Sequence, residues 1–319
     1  MYELTPGLSV VIPVYNSQEI LPELLKRLNQ ELPLLAENFE VILVNDGSVD
    51  ESWQVLVELL KEYRWAKGIN LMRNFGQHNA LLAGLREAKF DITITMDDDL
   101  QHPPEEIGKL IKVIEDGYDV VYGRPQKEQH GFLRDIASLV TKLAMQSTIG
   151  VEVARNISAF RAIRTQVREA FKDFKGPYVS IDVLLTWGTT RFKAISVRHD
   201  PRIAGKSSYT FRKLIRHSLN MLTGFSILPL QLASLIGFTF TIFGFCVLAY
   251  VLLRYLTTGS SVPGFPFLAS VIAIFSGAQL FALGIIGEYL ARMFFRIMDK
   301  PSYVIRDHSF IELNKNDQS

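Results

Sequence analysis

Three consecutive aspartates follow a strand-like run in the stretch "ITMDDDLQHPPEE", residues 94–106. In an extended chain Asp97 and Asp99 share one face and Asp98 lies on the other. Two converging carboxylates disfavour each other's ionisation unless a cation lies between them, and oxygen ligands favour Mg²⁺ or Mn²⁺. With the amide oxygen of Gln101, the pattern predicts a metal site. The alternative is a solvated acidic turn before a helix that begins at prolines 103 and 104.

Further polar residues follow other strand-like runs, which are "LSVVIPV", "FEVILVN", "KGINLM" and "YDVVYGR". These runs alternate with stretches of helical periodicity, which predicts an α/β fold with an open, mostly parallel sheet flanked by helices. In such sheets ligands bind at the carboxyl ends of the strands. The residues that the sequence places at this edge, besides 97–101, are Pro13, Tyr15, Asn16, Asn45, Asp46, Arg73 and Arg124.

The composition excludes several classes of function. The 319 residues carry a formal net charge of +1, which argues against a nucleic-acid partner. The single cysteine, Cys246, excludes an internal disulfide, and neither a dinucleotide fingerprint nor a P-loop occurs. Because no basic stretch followed by an apolar one precedes the first strand-like run, we expect no signal peptide and a cytosolic N-terminal part.

Two long segments near the C-terminus, residues 228–253 and 265–287, contain no charged side chain. Each exceeds the ~20 residues that a helix needs to cross a bilayer. We therefore predict a C-terminal two-helix transmembrane hairpin, with a pair of buried core helices as the alternative. Basic residues are concentrated before the first segment and after the second, so the positive-inside rule places both termini in the cytoplasm.

Several stretches together carry a resemblance to a known family. "VVIPVYNSQEILPELL", "VILVNDGSVDES", "LMRNFGQHNALLAGL", "ITMDDDLQHPPEEI", "GYDVVYGR" and "DPRIAGKSSYT" resemble, in order and spacing, family 2 glycosyltransferases. The similarity is to the polyisoprenyl-phosphate glycosyltransferases, such as dolichol-phosphate mannose synthase and the bacterial undecaprenyl-phosphate sugar transferases. It continues through "GIIGEYLARMF" and "KPSYVI" near the C-terminus.

The resemblance implies a GT-A fold and a metal-dependent, inverting transfer from a nucleotide sugar, with uridine as the first base to consider. The acceptor is a polyisoprenyl phosphate such as undecaprenyl phosphate, at the cytoplasmic face of the inner (plasma) membrane, and the product serves cell-envelope glycan modification. Relatives associate as homo-tetramers. Asp97 and Asp99 match the family's D-x-D motif, which makes them the predicted catalytic and metal-binding residues. The predicted nucleotide-sugar ligands are Pro13, Tyr15, Asn16, Asn45, Asp46, Arg73, Asp97 and Asp98, whereas Ser17 replaces an acid that relatives have.

The acceptor phosphate is predicted to meet Arg202, Lys206 and Ser207 in "DPRIAGKSSYT", together with Arg124. The basic cluster could instead attract lipid headgroups. Relatives often have an acid before the Phe-Arg of "RNISAFRAIRT", where this chain has Ala159. Asp182 is the predicted substitute for that catalytic base, with a purely structural role as the alternative.

These observations predict a catalytic domain over residues 1–206 and a juxtamembrane amphipathic helix over 207–227. Two transmembrane helices follow over 228–290, and a cytosolic tail over 291–319. The main alternative function is a non-catalytic nucleotide-sugar-binding scaffold or a lipid-sugar translocation component. The charge-free spans argue against translocation. A processive polysaccharide synthase is a further alternative, although the chain has only two candidate spans and no Q-x-x-R-W run.

Overall fold

A computed structural model describes residues 7–125, 157–176, 179–201, 228–258 and 264–309 of the chain. The chain divides into two compact units, which are treated separately below. One comprises Met1–Leu214 with Asp299–Ser319, and the other comprises Ile215–Met298. We call them the sheet unit and the helix-pair unit. The predicted domain boundaries are compatible with this division but stay predictions, and the amphipathic helix over 207–227 lies outside the described residues.

In the described part of the chain, the sheet unit is built on eight strands in the spatial order β7-β5-β6-β4-β1-β2-β3-β8. All neighbouring pairs are parallel except those that involve β6 and β8, which run antiparallel to the others. The strands are β1 (Leu8–Val14), β2 (Phe39–Asn45), β3 (Ala66–Leu71), β4 (Ile92–Thr95), β5 (Val120–Pro125), β6 (Arg161–Arg164), β7 (Phe192–Val197) and β8 (Ile305–Ser309).

Helices connect these strands and cover both faces of the sheet. The apolar residues of the first helix recur at helical spacing, and all four of them are buried, at 21, 24, 25 and 28. Short 3₁₀ turns occur at Leu32–Leu34, Pro104–Glu106 and Thr165–Phe171. Among the residues that the structure describes, the α-helices of this unit are α1 (Leu21–Glu31), α2 (Ser52–Glu62), α3 (Gln77–Glu87), α4 (Ile107–Glu115) and α5 (Ile181–Gly188).

Strand β1 lies at the centre of the core, and every residue in it is buried. Its alternating side chains enter two apolar clusters, one on each face of the sheet: Val10 and Ile12 join one cluster, and Val11 joins the other. Helix α3 approaches the sheet closely at Gly84, where an added Cβ would lie 2.3 Å from a methyl group of Val11. The mostly parallel sheet flanked by helices confirms the predicted fold class.

Three strands lie where the sequence did not indicate them, namely the parallel strand β7 at one edge of the sheet and the antiparallel strands β6 and β8. Strand β6 enters between β4 and β5 and pairs antiparallel with both. Strand β8 lies within the stretch predicted as a cytosolic tail and pairs antiparallel with the edge strand β3. The chain therefore returns to the sheet after the helix-pair unit.

The helix-pair unit consists of α6 (Leu228–Thr258) and α7 (Phe265–Ile297). By length and composition both helices can cross a membrane, with a mean hydropathy of 2.3 over Leu230–Arg254 and 1.4 over Ile274–Ala291. The ring of Phe275 on α7 packs against Phe240 and Phe243 on α6. It also reaches Gly244, where an added Cβ would lie 3.1 Å from the ring. A small residue on α6 thus admits a large one from α7.

Candidate active site

The predicted donor-site residues do meet at one edge of the sheet, because strands β1 to β5 all point their carboxyl ends toward it. We call this edge the rim. Each predicted residue lies at the end of its strand or in the following loop, within a few residues of the rim. The residues that the structure brings together there are Pro13, Tyr15, Asn16, Asn45, Asp46, Arg73, the turn over 97–101 and Arg124.

The loop after β1 is fastened to the loop after β2. Asn16 adopts a positive φ of 54°, a conformation that asparagine tolerates better than most residues. Its backbone N–H donates to Ser48 Oγ at 3.0 Å, and its side-chain Oδ1 accepts from the N–H of Val49 at 2.9 Å. These two bonds hold the loops side by side, while the Tyr15 side chain stays exposed.

Asn45 and Asp46 are buried at the end of β2. Asn45 donates to Asn70 Oδ1 at 2.8 Å and accepts from the Ser48 hydroxyl at 2.6 Å. The carboxylate of Asp46 accepts from the backbone N–H groups of Phe75 and Gly76 at 2.7 and 2.8 Å. Burial raises the pKa of Asp46 to about 6, even though these amides and the nearby Arg73 lower it.

The loop after β3 crosses directly over the loop after β2. Gly47 has a φ of 63°, and a Cβ on it would lie 2.5 Å from the backbone of Arg73 and Asn74, so only glycine fits there. The guanidinium of Arg73 stacks on the Phe75 ring, 4.0 Å from its centroid, and donates to the carbonyl of Asn74 at 2.9 Å. Gly76, with a φ of 98°, then begins helix α3.

The three aspartates after β4 have three different sets of partners. Asp97 accepts from the side-chain amide of Gln77, the first residue of α3. Asp98 accepts from the hydroxyl of Ser17 and from the Tyr15 N–H at 3.3 Å. Asp99 accepts from the backbone N–H of Gln101 at 3.1 Å.

Because β4 ends at Thr95 and Asp98 and Asp99 lie in a turn, the strand alternation assumed from sequence does not extend to them. The pKa of Asp98 is raised to about 6. Burial is the main cause and the neighbouring Asp99 also raises the pKa, whereas the hydrogen bonds from Ser17 and Tyr15 lower it.

Gln101 and two histidines complete this corner of the rim. The Gln101 side-chain nitrogen Nε2 lies 3.3 Å from His199 Nε2, and the Gln101 backbone carbonyl accepts from the Asp200 N–H at 2.8 Å. His102 stacks on Phe160 and meets His199 edge-on. The pKa of His102 is lowered to about 4, chiefly by burial and in part by His199. His102 is therefore neutral at physiological pH.

The donor set fits a divalent ion that is held partly by the protein and partly by a substrate. Among the residues that the structure describes, no three His, Cys, Asp or Glu side chains form a group able to hold a metal alone. Two carboxylates and one amide oxygen, from Asp97, Asp99 and Gln101, suit a hard cation that shares its shell with phosphate oxygens. The assignment of these three as ligands stays a prediction.

Comparison with known proteins identifies the family. A family model described as glycosyl transferase family 2 matches residues 9–171, more than half of the 319-residue chain. The chain belongs to glycosyl transferase family 2. The matched region contains the rim loops that follow β1 to β5, from Tyr15 to Arg124. The family assignment predicted from the motifs is thus confirmed at this level.

Solved structures share the fold. Glucosyl-3-phosphoglycerate synthase from Mycobacterium tuberculosis, in complex with phosphoglyceric acid, matches with a TM-score of 0.50 at 16% identity, covering 68% of this chain and 80% of the other. The same enzyme in complex with Mn²⁺, uridine diphosphate and glucosyl-3-phosphoglycerate matches with a TM-score of 0.50 at 15% identity, covering 68% and 78%. At this identity the likeness supports the GT-A type of fold and nothing finer.

In this family 2 glycosyltransferase, Asp182 is not placed as a free base. It lies at the start of α5, is buried, and forms an ion pair with the equally buried Arg161 of β6. The Tyr122 hydroxyl donates to the same carboxylate oxygen at 3.1 Å. Both partners engage the same carboxylate oxygen, Oδ1, so Asp182 already holds the guanidinium and the phenol. Its catalytic role stays a prediction that these contacts do not favour.

The predicted acceptor residues are only partly described. Arg124 is exposed at the end of β5, and its Nε donates to Ser196 Oγ of β7 at 3.3 Å. Arg202, Lys206 and Ser207 lie outside the described residues. The described chain ends just before them, at Asp200 and Pro201, and Asp200 is bonded to the Gln101 carbonyl.

Sequence reasoning missed two side chains that contact predicted site residues, Gln77 and His199. Within "RNFGQH", Gln77 is the residue that follows the loop and begins helix α3. A helix that begins at the rim places its first side chains near the site. The position of Gln77 at the start of this helix could therefore have been used to predict its contact with the site. His199 lies 98 residues from Gln101 along the chain, and no local pattern links the two.

Proposed function

We propose that this family 2 glycosyltransferase transfers a sugar from a nucleotide sugar to a polyisoprenyl phosphate, such as undecaprenyl phosphate, at the cytoplasmic face of the inner membrane. The observation that carries the proposal is that a single sheet contains the polar rim and strands on both sides of the apolar helix pair, β7 before it and β8 after it. A donor site is thereby tied to a segment able to enter a membrane. A lipid-linked phosphate is the acceptor that suits such a site.

The donor is proposed from the rim and from the fold relatives. The M. tuberculosis synthase that shares the fold was solved with Mn²⁺ and uridine diphosphate, which supports a uridine nucleotide and a divalent cation, Mg²⁺ or Mn²⁺, for this chain. We propose that Asp97, Asp99 and Gln101 hold the cation. When bound, a divalent cation stabilises the negative charge that develops on the departing diphosphate.

The residues of the chain position the reactants. The loops after β1, β2 and β3 form the proposed nucleotide site, with Pro13, Tyr15 and Asn16 on one side and Arg73 on the other. The proposed acceptor cations are Arg124, Arg202 and Lys206, with the hydroxyl of Ser207, since guanidinium and ammonium groups pair well with phosphate oxygens.

The proposed transfer requires no protein base. A phosphate monoester has a second pKa of about 6 and is mostly ionised near neutral pH. Its oxygen attacks the anomeric carbon as the bond from that carbon to the nucleoside diphosphate oxygen breaks, and the electron pair leaves with the diphosphate, which inverts the configuration. The ion pair of Asp182 with Arg161 is consistent with this scheme, because Asp182 then has only to hold Arg161 and Tyr122 in place.

The connectivity of the sheet supports the proposed membrane arrangement. Because β7 and β8 lie in one sheet, the chain between them must leave and return to the same side of any membrane that it enters. Two crossings by α6 and α7 satisfy this requirement. We propose a catalytic domain over 1–206, an interfacial helix over 207–227, spans within 228–290 and a cytosolic segment over 291–319, in a homo-tetramer.

The experiment incubates the purified full-length protein with undecaprenyl phosphate and a panel of labelled nucleotide sugars, with and without EDTA. The expected result is label in the lipid phase from one donor, dependent on the divalent cation. Binding of nucleotide sugar with no transfer from any donor would instead favour the non-catalytic scaffold, for which the rim contacts would suffice.

A further inference from the structure

Strand β8 does more than cover the edge of the sheet, because it extends along β3 to the rim. Its pairing with β3 shifts register between Asn70 and Leu71, which face Asp307 and Ile305 respectively. Arg306 is the extra residue in this irregularity. Bulges of this kind redirect a side chain out of the regular alternation and occur often beside active sites.

The first residue after β3 is bonded to this returning segment through both of its backbone groups. The Met72 N–H donates to the Val304 carbonyl at 2.9 Å, and the Met72 carbonyl accepts from Arg306 Nη2 at 3.0 Å. Met72 immediately precedes Arg73, a predicted nucleotide-sugar ligand. The segment beyond the helix pair therefore fixes the point at which the loop over 72–76 begins.

The same loop is held from the opposite side by the loop after β2. Asp46 binds its far end through the N–H groups of Phe75 and Gly76, and Gly47 is in contact with its middle. The loop is thus clamped between two segments that are distant in sequence, one of which follows the apolar helices.

The returning segment has its own anchor in the sheet unit, independent of β8. The Ser302 hydroxyl is buried and donates to the Gly176 carbonyl at 2.8 Å. The Tyr303 hydroxyl accepts from Arg86 Nη1 at 3.2 Å, and the guanidinium of Arg86 lies 5.5 Å from the Tyr303 ring centroid. Strand β8 itself is mostly exposed, so it contributes little to the core.

We propose that Arg306 is a positioning residue of the nucleotide-sugar site, holding the loop over 72–76 in the conformation that binds the nucleotide. This inference rests on the proposed function, because it takes Asp46 and Arg73 as parts of the donor site. Protection of the β3 edge alone would need only the backbone pairing of β8. The guanidinium bond to Met72 adds a contact to the loop that edge protection does not require.

The test measures binding of uridine diphosphate with MnCl₂ to the purified full-length protein by calorimetry. For Arg306→Ala we expect a dissociation constant about tenfold higher, as the loss of a charged hydrogen bond produces. The KM for the nucleotide sugar should rise with kcat nearly unchanged, and the melting temperature should stay the same. Arg306→Lys should restore most of the affinity. Asp307→Ala, an exposed neighbour in the same strand, is the matched control and should bind like the wild type.

Equal affinity in Arg306→Ala and the wild type would overturn the inference alone. An equal loss of affinity in Asp307→Ala, accompanied by a lower melting temperature, would also overturn it, because the strand would then act only through stability. Arg306→Gln provides the same comparison with Arg306→Lys if the alanine variant does not fold. A wild-type protein that binds no nucleoside diphosphate would overturn the proposed donor site as well, which separates the two failures.

Discussion

Four carboxylates at the rim belong to two groups that the sequence does not distinguish. Asp46 and Asp98 accept hydrogen bonds from loops other than their own, the 75–76 amides and the 15–17 loop respectively. Asp97 and Asp99 accept from one amide side chain and from the turn that contains Asp99 itself. The first two carboxylates fasten loops together, whereas the second two are the pair predicted to hold a cation. An acid in a rim motif is therefore not in itself a ligand.

Burial acts directly on the two carboxylates that fasten loops together. The pKa values of Asp46 and Asp98 are both raised to about 6, chiefly by burial. A carboxyl group that is difficult to ionise is a poor partner for a metal ion and a good one for amides and hydroxyls within the protein. The predicted nucleotide contacts of Asp46 and Asp98 stay predictions. Their observed contacts favour an indirect contribution, through the shape of the loops.

The largest expected effect separates the two groups by activity. Asp99→Asn should lower turnover by about 10³-fold, because it removes one charge from the proposed cation site while keeping the shape of the side chain. The melting temperature should change little. Transfer of label to lipid and a thermal unfolding curve check both statements. Normal turnover in this variant would show that the cation is held elsewhere.

Asp98→Ala should have the opposite profile, with a loss of stability and residual turnover. It leaves the Tyr15 N–H without its acceptor and removes one of the acceptors of the Ser17 hydroxyl, which also bonds the Tyr15 carbonyl at 3.2 Å, at a cost of about 2 kcal/mol. The melting temperature of the sheet unit should fall by about 5 °C. Ser17→Ala is the matched variant, and the double variant should cost less than the sum of the two, since the pair shares one bond. Additive costs would mean that the two side chains act independently.

Gln77→Ala sharpens the comparison at the metal pair. The side chain donates to Asp97, and loss of a group that orients a ligand typically weakens metal binding by about tenfold. Manganese binding followed by electron paramagnetic resonance measures this directly. Gln18→Ala is the control, because Gln18 bonds the N–H of Glu51 at the start of α2 instead. Equal manganese affinity in both variants would remove Gln77 from the site.

The fold was largely predictable because the parallel strands β1 to β5 are mostly apolar runs and the helices have clear periodicity. Strand β7, which reads "FKAISV" and is only partly buried, and the two antiparallel strands were not predicted. Strand β6 reads "RAIR", and its first arginine is buried only because Asp182 and Tyr122 come from other elements to pair with it. Strand β8 reads "IRDHS" and resembles a charged tail, since an exposed edge strand needs few apolar residues.

The positions of the site residues were predictable, but their orientations were not. A loop at the carboxyl end of a parallel strand reaches the rim whatever its side chains do, so Asn45, Asp46 and the three aspartates were correctly placed there. Which way each carboxylate points depends on the turn that begins after Thr95 and on partners such as Ser17 and Gln77, which are distant in sequence.

The smallest expected effect concerns Asp46 and depends on pH. At neutral pH Asp46→Asn should be nearly neutral for stability, because it loses one bond to the 75–76 amides and also removes a buried charge. The folded-state pKa of about 6 lies above the unfolded value, so the native state binds the proton more tightly. Stability from this group is therefore greatest at acid pH and is lost as the pH rises from about 4 to about 6.

The melting temperature of the wild type minus that of Asp46→Asn, measured from pH 4 to pH 8, should accordingly fall up to about pH 6 and then level off. A difference that rises over the same interval would show that the two amide bonds outweigh desolvation. In that case Asp46 would be stabilised as an anion. Its assignment to a different group from Asp97 and Asp99 would then depend on its hydrogen-bond partners alone.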